Sequence, residues 1–168
     1  MNALALWIVD SGWWIVLGMA PARTCKSPEE TFELGSNLAL ELRAGDVLLL
    51  RGDLGAGKTS LTKGILHGLN FDSDEVTSPS FALVNLYKTP VFDVYHIDLW
   101  RIEASENAAF EIGLSEIMEE PKAVVIVEWA ERLGNYRFNS RVFDVQIDGD
   151  GDEPRTIAVE TRGPAETR

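Results

Sequence analysis

A three-layer α/β domain on a mixed, largely parallel central sheet is the fold the sequence predicts; two apolar runs and one glycine-rich turn predict it. Val47, Leu48, Leu49 and Leu50 form one uninterrupted apolar run, and Ala123, Val124, Val125, Ile126 and Val127 form another. Strands buried on both faces of a parallel sheet read this way, without polar alternation. The turn after the first run, Gly52-Asp53-Leu54-Gly55-Ala56-Gly57-Lys58-Thr59, passes straight into a helical stretch. Strand, tight loop and helix in that order are the opening of a parallel crossover unit.

The chain has 168 residues, 45% of them apolar, which suits a single domain with a sizeable core. Its 27 acidic and 15 basic residues give a net charge of -12, which argues against gripping a polyanion over a broad surface. Any RNA is therefore expected to be held by a partner. One cysteine, Cys25, excludes an internal disulfide, and with two histidines it leaves too few ligands for structural zinc. This usage fits a reducing cytoplasm.

Residues 1–22 are atypical: Trp7, Trp13 and Trp14 lie among aliphatic residues with no Lys or Arg before Arg23. A secretory signal needs a basic start. Asp10 interrupts the apolar run, which leaves neither half near the roughly 20 residues of a membrane-spanning helix, so no membrane association is expected. The segment reads either as an extension packed on the domain or as a start assigned early, with Met19 the true start. The expected layout is this apolar extension over 1–22, a single domain built around the glycine-rich turn over 23–162 and a tail over 163–168.

Ser27-Pro28-Glu29-Glu30 is a helix start: Ser27 can accept the Glu30 amide, Glu30 can reach back, and Pro28 sits where no amide donor is needed. The helix is expected to run to about Arg43, packing Phe32, Gly35, Leu38, Ala39 and Leu42, with Gly45 as its left-handed stop. A second helix is expected over 60–69. Residues 81–87 and 91–98 read as a hairpin turning at Lys88-Thr89-Pro90. Residues 106–118 are weakly helical, and 141–147 and 156–160 read as two more strands around a turn-rich stretch. Asp148-Gly149-Asp150-Gly151-Asp152 resembles a calcium loop, but Glu153 replaces its sharp-turn glycine and Val159 its bidentate glutamate. It reads as a hairpin turn.

The glycine-rich turn carries the chemistry. Gly52, Gly57, Lys58 and Thr59 meet the spacing of a phosphate-binding P-loop, and the flanking strand and helix supply its context. Gly52, Asp53, Leu54, Gly55, Ala56 and Gly57 offer backbone to the phosphates, and the helix carrying Lys58, Thr59 and Ser60 adds its positive end. Lys58 is expected at the β and γ phosphates, and Thr59 at Mg²⁺. A carboxylate is needed across the site; Glu128 closes the run Val124 to Val127 and Asp98 the run Val94 to Ile97, where strand carboxyl ends face a ligand crevice. His96 could hydrogen-bond Asp98 or a phosphate, or simply pack. His67 reads as surface or packing, and Cys25 as a structural thiol.

Four segments in order resemble one family: Gly52 to Thr59, then Ser78-Pro79-Ser80-Phe81, then Tyr95-His96-Ile97-Asp98-Leu99-Trp100-Arg101, then Val127-Glu128-Trp129. The chain resembles TsaE (YjeE), the ATPase of tRNA threonylcarbamoyladenosine biosynthesis, over roughly residues 27–159. The resemblance implies an ATP- and Mg²⁺-dependent hydrolase acting with TsaB and TsaD on tRNAs that read codons beginning with adenine, touching tRNA only through that complex. By motif, Thr59 and Glu128 match its Mg²⁺ ligands, Asp98 the carboxylate needed for hydrolysis, and Thr77 to Phe81 a nucleotide-sensing loop. Ser80 stands where the family usually has threonine and Trp100 where it has tyrosine. Lys58, Asp98 and Glu128 are the expected catalytic residues. A small-molecule kinase needs a basic lid that the chain does not present, and a non-catalytic nucleotide switch is the other alternative. A guanine-reading Asn-Lys-x-Asp motif is absent.

Overall fold

The computed structural model describes residues 21–105, 107–150 and 154–163. The extension, its three tryptophans and most of the tail lie outside the described residues, as does part of the acidic turn.

Seven strands form one sheet in the order β1-β7-β6-β2-β5-β4-β3. They are β1 (Arg23–Cys25), β2 (Val47–Arg51), β3 (Val84–Lys88), β4 (Asp93–Asp98), β5 (Ala123–Glu128), β6 (Val142–Asp148) and β7 (Arg155–Arg162). The central strands β6, β2, β5 and β4 run parallel, while β3, β7 and β1 close the two edges antiparallel. The mixed, largely parallel sheet expected from the two apolar runs is therefore the observed one. Those runs are β2 and β5, and they lie hydrogen-bonded to each other, Val47 opposite Val125 and Leu50 opposite Glu128.

Because successive strand residues point to opposite faces, β2 feeds two cores. Leu48 and Leu50 join Val124 and Ile126 under helices α1 (Pro28–Ala39) and α2 (Lys58–Gly68). Val47 and Leu49 join Val125 and Val127 under the short helices α3 (Ala108–Glu111) and α4 (Leu114–Met118) and the 3-10 turn Ala130–Leu133. These are the three layers.

The helix start at Ser27 forms as read: its Oγ accepts the Glu30 amide at 3.3 Å, while the Glu30 carboxylate reaches back to the Lys26 amide at 2.7 Å. The helix stops earlier than expected, at Ala39, because the next three amides turn to i-3 carbonyls and tighten the coil. Gly45, at φ +88°, turns the chain toward β2 instead of capping the helix. α1 and α2 cross on glycines. A Cβ at Gly64 would lie 2.0 Å from the Phe32 carbonyl, and one at Gly35 would lie 2.3 Å from that of Leu61.

Elsewhere the expected elements form with shifted ends. The 81–87 strand begins only at Val84, after a left-handed Leu83 at φ +65°. Gly113, at φ +63°, divides the 106–118 stretch into α3 and α4. The three-residue β1 was not expected. Cys25 lies there fully buried, its thiol pKa raised by burial, as a structural thiol should. Among the described residues no helix is long and apolar enough to cross a membrane.

Candidate active site

β2 delivers the glycine-rich turn to the carboxyl edge of the sheet, and two contacts explain its glycines. Gly52 has φ +142°, and a Cβ there would meet the Ile147 carbonyl of β6 at 2.3 Å. Gly57, at φ +106°, caps α2, and a Cβ there would meet Arg155 at 2.4 Å. The turn is thus clamped against β6 and β7 in a shape that only glycine tolerates at these points.

Lys58 opens α2 and curls back over the turn. Its ammonium donates to the carbonyls of Gly52 at 2.7 Å and Asp53 at 2.8 Å, and sits 3.8 Å from the centre of the Trp129 ring. It is buried, and desolvation lowers its pKa from the ordinary 10.5, against the pull of Glu128, Glu131, Asp98 and Asp53. A half-desolvated cation among loop carbonyls is a group ready for stronger anionic partners.

The carboxylates converge on the next residue of the helix. Glu128 ends β5 and is buried; both its oxygens accept from the Thr59 hydroxyl, at 3.0 and 3.2 Å. Asp98 ends β4 directly beside it. One Asp98 oxygen accepts from the Trp100 amide at 2.8 Å, and the other from Ser78 and, at 2.7 Å, from Ser80. His96 is fully buried and bonds Glu128 at 2.8 Å, not Asp98. In the parallel register His96 is level with Ile126, and its ring leans one pleat along, across to Glu128 on the same face of β5.

Apart from His96, which lies behind Glu128, these groups line a cleft of about 500 Å³ between the turn, the 78–80 loop and the ends of β4 and β5. Lys58, Thr59, Ser60, Gly55, Gly57 and Leu54 form one side, with Asp98 and Glu128 across from them. Of the other expected site residues, Asp53 offers a carbonyl to Lys58, Ala56 is buried beneath the turn, and Gly52 anchors its start. His67 lies on the far end of α2 against Phe32, away from the cleft.

Several residues in or behind the cleft were not expected from composition or spacing. Trp129 takes a left-handed turn at φ +59° just after β5, and its ring packs 4.5 Å from Trp100, with Arg132 against both. Ser78 joins Ser80 in holding Asp98. Arg155, buried on β7, points Nη1 at the Ala56 carbonyl at 3.4 Å and supports the turn from behind. Nothing near Arg155 in sequence signals this, since β7 meets the turn only through the fold.

Comparison with known proteins identifies the family and the fold. Residues 25–157 match the family model of TsaE, threonylcarbamoyl adenosine biosynthesis protein TsaE. The chain belongs to the TsaE family. Among curated TsaE relatives, each called tRNA threonylcarbamoyladenosine biosynthesis protein TsaE, that of a Nostoc strain is 41% identical over 106 residues, 62% of this chain and 65% of its own length. The aligned stretch thus spans just under two thirds of that relative. The Bacillus subtilis TsaE is 36% identical over 137 residues, covering 82% of this chain and 83% of its own. The crystal structure of Bacillus subtilis YdiB superposes with a TM-score of 0.66 at 32% identity, over 86% of each chain.

Proposed function

We propose that the chain binds Mg²⁺-ATP in the cleft at the glycine-rich turn, hydrolyses its γ-phosphate, and does so as a subunit in forming threonylcarbamoyladenosine at position 37 of tRNA. The observation that carries the proposal is the convergence of Lys58, Thr59, Asp98 and Glu128 on one cleft at the mouth of a P-loop. The relatives' names point to the same modification.

The residues present suit the metal. The Thr59 hydroxyl and the Glu128 carboxylate are hard oxygen donors 3.0 Å apart, the kind Mg²⁺ takes from a protein while phosphates supply the rest. When bound, Mg²⁺ would neutralise charge on the phosphates. The chain's own groups do the remainder. The turn's backbone and the α2 N-terminus cradle phosphate oxygens. Lys58 exchanges two carbonyls for phosphate oxygens and stabilises the charge that grows as the γ-phosphate leaves. Asp98, held by Ser78, Ser80 and the Trp100 amide, orients the attacking water. The 77–81 loop therefore couples the nucleotide to Asp98.

In this reading the protein works with TsaB and TsaD in the cytoplasm, and its turnover depends on them. The test is ATP hydrolysis by the purified chain, alone and with its organism's TsaB and TsaD, with Lys58→Ala as blank. Stimulation by the partners, lost in the blank, is the expected result. Tight ATP binding without stimulated hydrolysis would transfer the assignment to a nucleotide switch; phosphoryl transfer to an added alcohol would transfer it to a kinase.

A further inference from the structure

His96 is an unusual residue for its place. It lies on β4, one strand in from the sheet edge, with no exposed surface, between the edge strand β3 and the fully buried β5. Among the described residues the only polar contact of its ring is Nε2 on the Glu128 carboxylate, at 2.8 Å, and the buried Nδ1 has no hydrogen-bond partner. A buried polar atom without a partner costs about 1–3 kcal/mol, so packing alone does not favour histidine here over leucine. A proton on Nδ1 would have no acceptor, whereas one on Nε2 meets a carboxylate oxygen. The ring is therefore an Nε2–H donor aimed at Glu128.

We propose that His96 is a positioning residue for Glu128: its Nε2–H holds one carboxylate oxygen from behind, so that the carboxylate stays against Thr59 and is set for Mg²⁺ before nucleotide arrives. This rests on the Mg²⁺-ATP reading above. The geometry gives the reason. Glu128 has three side-chain torsions, and Thr59 alone, a single hydroxyl shared between both oxygens at 3.0 and 3.2 Å, does not choose between them. The His96 bond falls on Oε1 and breaks that symmetry, leaving the lone pairs of Oε2 less engaged. Hydrogen bonds of this kind behind a ligating group orient it, here while stabilising the charged carboxylate, and losing one typically weakens metal affinity or activity about 10- to 100-fold.

The test compares His96→Gln, whose side-chain amide can stand where Nε2 stands, with His96→Asn, whose amide reaches only the Nδ1 position. ADP affinity is measured by calorimetry in EDTA and across a Mg²⁺ titration. His96→Asn is expected to raise the Mg²⁺ concentration needed to tighten ADP binding by about 10-fold or more, with His96→Gln restoring most of that. Affinity in EDTA should stay within about twofold of wild type for both, since a metal ligand's support does not touch the phosphate cradle. An unchanged Mg²⁺ requirement in His96→Asn overturns the proposal, as does equal loss of EDTA affinity in both variants, which would mark a purely structural histidine. If wild-type ADP binding ignores Mg²⁺, the metal reading itself falls and takes this inference with it. A second measurement needs no variant that might fail to fold. With only two histidines in the chain, imidazole ¹⁵N spectra of the native protein resolve His96 directly. The Nε2–H tautomer, shifting on Mg²⁺ addition to the ADP complex, is expected; the Nδ1–H tautomer overturns the proposal.

Discussion

Asp98 and Glu128 are register partners on the last rung between β4 and β5, yet their carboxylates are held by different parts of the molecule. Glu128 faces Thr59 of α2 and His96 of its neighbouring strand. Asp98 is held by the 78–80 loop and the Trp100 amide. Two like charges side by side at a buried strand end are unfavourable unless each has its own donors or a cation between them. The arrangement provides separate donors now and, in the proposed complex, a shared positive charge.

Separate donors imply separable roles. Asp98→Ala and Glu128→Ala are each expected to lower ATP hydrolysis by about 100-fold or more, the scale of losing one preorganised electrostatic contact, and to weaken nucleotide binding far less. Single-turnover hydrolysis and calorimetric ADP binding, measured on the same preparations, check this. Equal losses of binding and turnover would remove both residues from the chemistry.

Arg155 offers a prediction about the turn itself. Its guanidinium sits behind Gly57 and donates toward the Ala56 carbonyl, so it supports the cradle without lining it. Arg155→Met, similar in length but without donors, should leave a folded protein that binds ATP about 10-fold more weakly, since tenfold is about 1.4 kcal/mol and a hydrogen bond to a charged group contributes about 1.5–3 kcal/mol. Wild-type affinity in a folded Arg155→Met would refute the supporting role.

How much of this the sequence could disclose follows from where the information lies. The turn, its strand and its helix are contiguous, so Gly52 to Thr59 was readable with its purpose. Glu128 was readable as a strand end because β5 is apolar up to it, and Asp98 because it closes the strand-forming run Val94 to Ile97. Pairings across the sheet were not readable. The partner of His96 depends on which pleat of β5 lies beside it, and β1 exists only because β7, some 130 residues later, pairs Arg23 with Ile157. The early end of α1 also escaped notice, because its apolar spacing continues to Leu42, which is buried although it lies beyond the helix.

The α1–α2 crossing makes the glycines' roles separable. Gly64 has no room for a methyl group against the Phe32 carbonyl at 2.0 Å, while Gly45 has open space but a left-handed backbone. Gly64→Ala must push two helices apart and is expected to destabilise by about 3 kcal/mol, the upper part of the overpacking range. Gly45→Ala meets only the left-handed penalty of about 1–2 kcal/mol. Urea unfolding of both variants should rank them in that order, and the reverse order would show that the helices separate readily.

Lys58 yields the last prediction, and its sign follows from burial. Desolvation, the largest influence, lowers its pKa below the ordinary 10.5, with the nearby carboxylates only partly offsetting it. The folded pKa is therefore below the unfolded one. Between the two, the unfolded chain still carries a proton that the folded chain has released, so this group's destabilising effect is full at lower pH and is relieved as pH rises through the window. ATP reverses the balance: phosphate oxygens at the ammonium favour the charged form and lift the pKa again. In the same alkaline window, binding must then draw in a proton, and affinity should fall as pH rises. Calorimetry in two buffers of different ionisation enthalpy reads this as a buffer-dependent heat, present on the alkaline side and fading toward neutrality. Lys58→Arg, whose guanidinium stays charged throughout, should abolish that dependence while keeping a cation at the turn. Identical heats in both buffers for the wild type would mean that Lys58 stays fully charged before nucleotide binds, and that its carbonyl contacts outweigh its burial.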